Sequence, residues 1–423
     1  MGLAVAHELS ARGHSVEVIE AAPQVGGLTT WYDFGSFVWD KFYHVILPSD
    51  RYLIEFIRNL GMENELRWQT TRTGFFVDRE LYSLSTNLEY LKFPPLSLWS
   101  KFRLALTILY CSRINDWRKL ERQFVEEWLR TVSGQATYEK LWKPLLLAKL
   151  GDAYRRVSAV FIWSYIKRMF SARDGSAQKE QLGHVSGGYK AIFSLLTRKI
   201  EETGGTIWTD SPVENLRAGS NGGIDVRVGG KSIRFDKVIY TGPAGLLTSV
   251  AEEQLIDMQR SGNEVEYLGV VCLVIVTRKP ITPFYVLNIA DERIPFTGVI
   301  GMSTVVDPVE TSNRYLTYLP KYVLSTDKFL DRDDASIERE FLVGLSLIFP
   351  GFDHADIESV HVNRARRVQP LQVLNYSSIV PRIETRHPNL FVLNTSQFVN
   401  NTLNNNEVIR AVTEFFETHD RQF

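Results

Sequence analysis

Gly2, Glu20 and the pair Gly26-Gly27 constrain this chain more than any other feature of it. GLAVAHELSARGHSVEVIE places Leu3, Ala6 and Leu9 at helical spacing, with Gly13 where a left-handed cap ends a helix. Ser15 to Glu20 then reads as a strand whose near-continuous apolar character suits cover on both faces. A helix feeding a buried parallel strand calls for a strand before it, which the sequence does not show. A dinucleotide site needs a strand, a G-x-G-x-x-G turn, a helix whose first amides meet the pyrophosphate, and an acidic residue at the end of the next strand. Gly2 stands at the place of the last glycine, where helix and strand pack closely, and Glu20 at the acidic place eighteen residues on. A glycine near a helix start is more often a simple cap. The continuation into Val25-Gly26-Gly27 is what makes the pattern informative.

Composition narrows what surrounds such a site. The 423 residues, 44% of them apolar, are enough for two domains or one composite domain. A formal net charge of -1 gives no electrostatic case for nucleic acid. Cys111 and Cys272 stand far apart with no C-x-x-C spacing, so neither a cysteine metal cluster nor a disulfide framework is expected, and a reducing cytoplasmic setting fits. No metal site is predicted. No basic-apolar-small signal pattern opens the chain, and no run approaches the roughly 18 apolar residues of a membrane span. Nine tryptophans among 12% aromatics give stacking capacity for a flat ligand, although most must be ordinary core.

Pattern divides the chain further. Residues 76–184 read as helical and rich in Trp, Arg and Lys, and residues 261–364 as strand-dominated, including EYLGVVCLVIV and RYLTYLP. SGGYKAIFSLLTRKIEETGG is a second glycine-led helix, and IDVRVGGKSIRF an alternating hairpin turned at Gly229-Gly230. A final strand, the polar loop LNTSQFVNNTLNNN and a closing helix end the chain. The stretch SLWSKFRLALTILYC covers a substrate tunnel or rests on a membrane surface. Lys101 and Arg103 interrupt its apolar run and favour a buried amphipathic helix.

Glu20 followed by Val25-Gly26-Gly27 resembles the FAD segment of the amine oxidase superfamily, and GLAVAHELSARGHSVEVIEAAPQVGGLTT resembles its signature G-x-G-P-x-G-L-x-x-A without the first five positions. Asp40 with Phe42-Tyr43-His44, WKPLLLAKLG at Trp142 to Gly151, and HVSGGYKAIFSLLTRKIEETGGTIWTDSPVENL are similar to segments of its protoporphyrinogen oxidase-like members. The resemblance implies an α/β fold: a Rossmann-like FAD-binding domain, a parallel sheet with a β-meander, made of residues 1–75, 185–260 and 365–423. An α+β substrate domain of residues 76–184 and 261–364 is inserted in it. It also implies FAD as cofactor, a small-molecule substrate, and NAD(P)/FAD-dependent oxidoreductase chemistry in which hydride passes from an organic substrate to flavin N5. Gly2, Glu20, Gly26, Gly27, Leu28, Thr29, Val213, Thr395 and Asn405 are the cofactor-binding positions so implied, Val213 through its backbone at adenine.

Some positions depart from the pattern. Leu28 stands where many amine oxidases have arginine, and Asn394-Thr395 where a Gly-acidic pair is usual. Asn404 to Asn406 precede the closing helix, whose positive end suits negative charge developing on a reduced flavin; a plain cap explains them equally. His44 is the ionisable candidate beside the flavin, able to donate or accept a proton, or else a hydrogen-bonded wall residue. Lys143 is a candidate for orienting an anionic substrate or the flavin, or else a surface charge. Two other readings stand beside the oxidoreductase: a non-redox mutase similar to UDP-galactopyranose mutase, and a flavin-free pseudoenzyme. The interrupted signature predicts about ten to fifteen further residues upstream of Met1, the size of a strand and its turn.

Overall fold

The computed structural model describes residues 1–171, 180–257 and 264–423. The opening helix, Gly2–Ala11, is apolar nearly all round because two cores meet on it. Leu3 and Ala6 face one with Ile192 and Leu196, and Ala4 and Val5 face another with Phe391, Phe415 and Phe416. Gly13 at φ +86° turns the chain out of it. The strand Glu17–Ile19 then pairs in parallel with Thr206–Trp208, and Val238–Tyr240 pairs in parallel with Leu390–Val392. Val18 packs against the helical core and Ile19 against the core that holds Leu390 and Val392, so the strand meets a core on each face, but both residues are only partly buried and Glu17 is exposed.

An antiparallel meander, Val213–Ala218, Ile224–Val228 and Lys231–Phe235, closes the far side of that core. Gly229 and Gly230 at φ +56° and +74° make its hairpin turn, a pair of left-handed residues that glycine adopts without strain. The closing helix Asn405–His419 packs on Arg51–Asn59 and on the opening helix. The two ends of the chain meet there: Arg12 pairs with Asp420 at 2.9 Å and His14 Nε2 lies 2.6 Å from the Phe423 carbonyl oxygen.

A seven-stranded mixed sheet forms the second body of structure, in the order Ile357–Pro370, Tyr267–Thr277, Tyr315–Leu324, Gly298–Gly301, Val286–Ile289, Thr73–Val77, Glu80–Ser83. Tyr267–Thr277 is buried at every residue because both faces are covered. Val271, Leu273 and Ile275 face the helix Asp334–Ile348, whereas Val270, Cys272, Val274 and Val276 face Trp39 and Tyr318. Helices between Asn87 and Ser171 cover one end of this sheet, around Trp128, Tyr138, Tyr154 and Trp163.

Two sequence expectations change here. The tract from residue 76 begins with strand, not helix: Thr73–Val77 and Glu80–Ser83 form a hairpin whose two residues at positive φ, Asp78 and Arg79, gave no glycine signal. The helix Leu98–Arg113 is buried on one face only. Lys101, expected to mark its polar side, is itself buried with Nζ donating to the Leu91 carbonyl at 2.7 Å, while Trp99, Phe102 and Leu106 are exposed.

Candidate functional site

The site runs along the seam between the two bodies, beginning where the opening helix starts. That helix has no side-chain cap and no acidic residue in its first turn, so its first amides are left for another acceptor. A methyl group on Gly2 would lie 3.1 Å from Thr241 Oγ1, just past the strand Val238–Tyr240, so a side chain here would press on that hydroxyl. The Glu20 carboxylate, at the end of the next strand, accepts from the Ala22 amide at 2.9 Å and attracts the amino group at the start of the helix.

The glycine pair follows. At Gly26, φ is +112° and an added methyl would sit 2.8 Å from the Phe193 ring; at Gly27, φ is +58° and nothing lies within 4 Å of that point. One glycine is therefore fixed against the protein and its neighbour presents bare backbone to open space. Leu28 lies in the 3₁₀ turn Gly27–Thr29, and Thr29 Oγ1 reaches Asn405 Oδ1 at 3.4 Å. The turn thus meets the start of the closing helix. Asn404 caps that helix, accepting from the Glu407 amide at 3.0 Å, and its own amide donates to the Thr402 carbonyl at 2.8 Å. Asn405 lies near the buried Tyr189 hydroxyl, which has no hydrogen-bond partner among the described residues. Asn404 is thus a cap, and Asn406, accepting from the Leu53 amide at 3.2 Å, ties the closing helix to Arg51–Asn59.

Tyr189 carries the site to the histidine. Its ring meets His44 edge-on at 5.5 Å, and its backbone N–H donates to Asp40 Oδ1 at 3.0 Å. Gly188, at φ +68°, leaves room for that carboxyl: a methyl there would stand 3.1 Å from Asp40 Oδ1. Burial pushes the Asp40 carboxyl up to about 8, only partly offset by the Tyr189 amide. Burial likewise lowers His44 to about 4, against its bond to the Phe42 carbonyl at 2.9 Å. The 4.0 Å between His44 Nδ1 and Asp40 Oδ2 is therefore an approach of two neutral groups at neutral pH, not an ion pair.

Beyond His44 the seam is lined by tyrosines and two cations. Arg168 Nη2 pairs with Asp50 at 3.1 Å and its Nη1 donates to Thr402 at 3.3 Å, tying the helix Ala159–Ser171 to the turn before Asn404. Tyr43 and Tyr322 share a hydrogen bond of 2.8 Å, and Tyr165 donates to Gln369 at 3.1 Å. Lys149 Nζ stands 3.7 Å over the Tyr322 ring and 5.9 Å from the Tyr165 ring, with no carboxylate partner among the described residues. Its surface is partly accessible, yet desolvation lowers it to about 8.

The remaining positions fall at the edges. Val213 begins the meander beside the core that holds Ile19. Asn394 Oδ1 accepts from the Ser396 amide at 3.0 Å and from the Ser396 hydroxyl at 2.5 Å, leaving its buried Nδ2 without a partner next to Thr395. Lys143 is half turned to solvent and paired with Glu139 at 3.2 Å; no contact joins it to His44 among the described residues. The lysine of that segment that reaches the tyrosines is Lys149, within the same WKPLLLAKLG run. Arg168 and Tyr322 gave no local signal, because their partners lie 118 and 279 residues away.

A sequence model of one family, described as flavin containing amine oxidoreductase, matches residues 2–364. No match was found among curated protein sequences. Among solved structures, the fold superposes on a candidate protoporphyrinogen oxidase of Exiguobacterium sp. 255-15 with a TM-score of 0.76 at 13% identity, covering 100% of this chain and 96% of that one. An oxidoreductase of Methanosarcina mazei gives 0.74 at 18% identity, covering 98% and 97%. Cyclohexylamine oxidase of Brevibacterium oxydans IH-35A gives 0.69 at 15% identity, covering 99% and 96%. These likenesses speak to the fold alone.

Proposed function

Because the chain belongs to the flavin containing amine oxidoreductase family, and so is a flavin-dependent oxidoreductase with FAD as its cofactor, we propose that it oxidises a small organic substrate in the recess beside Tyr43, Tyr165, Tyr322 and Lys149. The residues of the seam suit the cofactor: uncapped amides at Gly2, a carboxylate at Glu20 for ribose hydroxyls, bare backbone at Gly27, and the unpartnered Asn394 amide beside Thr395. Thr29 and Asn405 would hold it where the 3₁₀ turn meets the closing helix, and the Val213 backbone at the adenine end. We divide the chain accordingly, with residues 1–75, 185–260 and 365–423 around the cofactor and residues 76–184 and 261–364 around the substrate. When bound, FAD supplies the hydride acceptor, at N5.

The chain's own side chains set what can enter. Asp40 holds its proton and His44 is neutral at pH 7, Arg168 is matched by Asp50, and Lys149 alone is unmatched. The recess thus carries uncompensated positive charge, which repels an ammonium substrate and attracts a carboxylate or phosphate. His44 would act through Nε2, its Nδ1 being occupied by the Phe42 carbonyl, and, lowered to about 4, it meets the substrate as a neutral imidazole. Tyr43 and Tyr322, both held well above the ordinary phenol range by burial, stay protonated and act as walls and donors.

The observation that carries this reading is Lys149, an unpaired cation among tyrosines at the inner end of the seam. Its test is a pair of probes of matched skeleton, 3-phenylpropionate and phenethylamine, followed by calorimetry and by perturbation of the flavin spectrum. The carboxylate is expected to bind the more tightly, and Lys149→Met to weaken it about tenfold, one charge-assisted hydrogen bond's worth. Tighter binding of the amine overturns the charge assignment, and a protein that neither contains nor takes up FAD overturns the assignment of the seam as its site.

A further inference from the structure

The helix Leu98–Arg113 is held in place by one face and presents a second apolar face to solvent. Its buried side carries Ser100, Lys101, Leu104, Thr107 and Cys111. Tertiary bonds fix its rotation: Thr107 donates to the Val132 carbonyl at 3.1 Å, Arg103 to the Thr131 carbonyl at 2.8 Å, and Trp163 Nε1 to the Cys111 carbonyl at 2.9 Å. On the opposite side Leu98, Trp99, Phe102, Leu106 and Tyr110 are 76%, 67%, 54%, 47% and 51% exposed, and Trp99 stacks on Phe102 at 5.7 Å. Trp99, Phe102, Leu106 and Tyr110 follow the three-and-four spacing that puts them on one stripe. The preceding short helix, tied in by the Lys101 bond to Leu91, adds Leu88 and Leu91 at 60% and 55%. Exposed large apolar side chains gathered along one helix face in this way mark a site of contact with another body.

Charge identifies that body. Residues 87–119 hold six basic side chains, Lys92, Lys101, Arg103, Arg113, Arg118 and Lys119, against two acidic ones, Glu89 and Asp116. Lys92, Arg113, Arg118 and Lys119 are exposed, while the Glu89 carboxylate is engaged by Ser83, Ser85 and Thr86. A second copy docked face to face would set these cations against their own images with almost no carboxylate to meet them. An anionic surface meets all of them. Leu98–Arg113 has sixteen residues, about 24 Å at 1.5 Å per residue, short of the roughly 30 Å hydrocarbon layer. No helix among the described residues is long and apolar enough to cross a membrane.

We propose that this face is a membrane-docking surface: Trp99, Phe102, Leu106 and Tyr110 enter the headgroup boundary of an anionic lipid layer while Lys92 and Arg113 lie against its phosphates. The helix lies in the plane of the surface, its buried face still joined to the protein. The seam and its cofactor positions are no part of this surface, so the proposal stands or falls independently of the oxidoreductase chemistry.

Co-sedimentation of the flavin-loaded full chain with phosphatidylcholine vesicles, alone and with about 30% phosphatidylglycerol, tests it. Binding is expected to the anionic vesicles, to weaken as salt is raised, and to fall about tenfold in the double variant Trp99→Ser/Phe102→Ser. Those two side chains are exposed, so flavin content and circular dichroism should be unchanged in the variant. Lys92→Ser/Arg113→Ser, a second variant that leaves the apolar stripe intact, should lose the preference for anionic over neutral vesicles. Equal binding to neutral vesicles overturns the anionic assignment. Absence of vesicle binding, or self-association that Trp99→Ser/Phe102→Ser abolishes without any vesicle binding, overturns the proposal and assigns the face to a protein partner.

Discussion

At the scale of single residues, the site is governed by which ionisable groups the fold has emptied of charge. Asp40 is 2% exposed, and its carboxyl accepts a helix-start amide while keeping its own proton. Raised from the ordinary carboxylate range to about 8, it makes the folded state hold a proton that the unfolded chain gives up near pH 4. Stability therefore falls as pH rises through that interval, by at most about 1.4 kcal/mol per unit. His44, lowered to about 4, acts the other way up to its unfolded value near 6.5, because there the unfolded chain binds the extra proton. Between about pH 6.5 and 8 the Asp40 effect is unopposed by His44. Asp40→Asn keeps an acceptor for the Tyr189 amide and has no proton to lose. The buried Met1 amino group, lowered to about 6, acts the other way over the same range, so the readout is the difference between the two proteins: the thermal midpoint of the parent should fall relative to that of the variant as pH rises, and identical slopes would mean that Asp40 is ionised in the folded state.

At the scale of elements, the closing helix links stability to the cofactor positions. Asn404 caps it through Oδ1 and holds Thr402 through its amide, and Thr402 receives Arg168. Asn404→Ala removes both functions and should cost about 1 kcal/mol in denaturant unfolding. Asn404→Asp restores the cap acceptor but not the amide donor. It should recover most of that stability while leaving the Thr402 turn, and with it FAD affinity, impaired. Full recovery of both by aspartate would confine Asn404 to capping. Local pattern predicted this helix, its asparagine start and the Gly229-Gly230 hairpin, because caps and two-residue turns are decided within four or five residues. The hairpin at Asp78-Arg79 escaped notice for the converse reason: neighbouring strands hold two ordinary side chains at positive φ that no local preference would select.

At the scale of the whole molecule, the cofactor seam is assembled from distant parts: the opening helix, the Gly26-Gly27 turn, the Asp40–His44 stretch, Tyr189 and the closing helix. A ligand bridging such parts stabilises the folded chain by mass action, so FAD at a hundred times its dissociation constant should add about 2.7 kcal/mol. A melt monitored in FAD against one without it measures this, and an unchanged midpoint in flavin-free protein would separate the seam from the cofactor.

The sequence alone determined the glycines, the acidic strand end, the continuous apolar run of the long central strand and the helix caps, and with them the family. Each depends on backbone conformation or periodicity over a short span, which side-chain type dictates directly. Tertiary structure decided which lysine of WKPLLLAKLG faces the tyrosines, which carboxyl keeps its proton and which face of Leu98–Arg113 is covered. Those depend on burial and on partners beyond the reach of any local pattern, from 25 residues away for Thr107 to 149 for Asp40, and desolvation is a property of the packed whole, not of any segment. The opening stretch from Gly2 to Glu20 shows both sides: its residues announced a helix and a strand, but only the fold brings Thr241 against Gly2 and sets Gly27 facing open space.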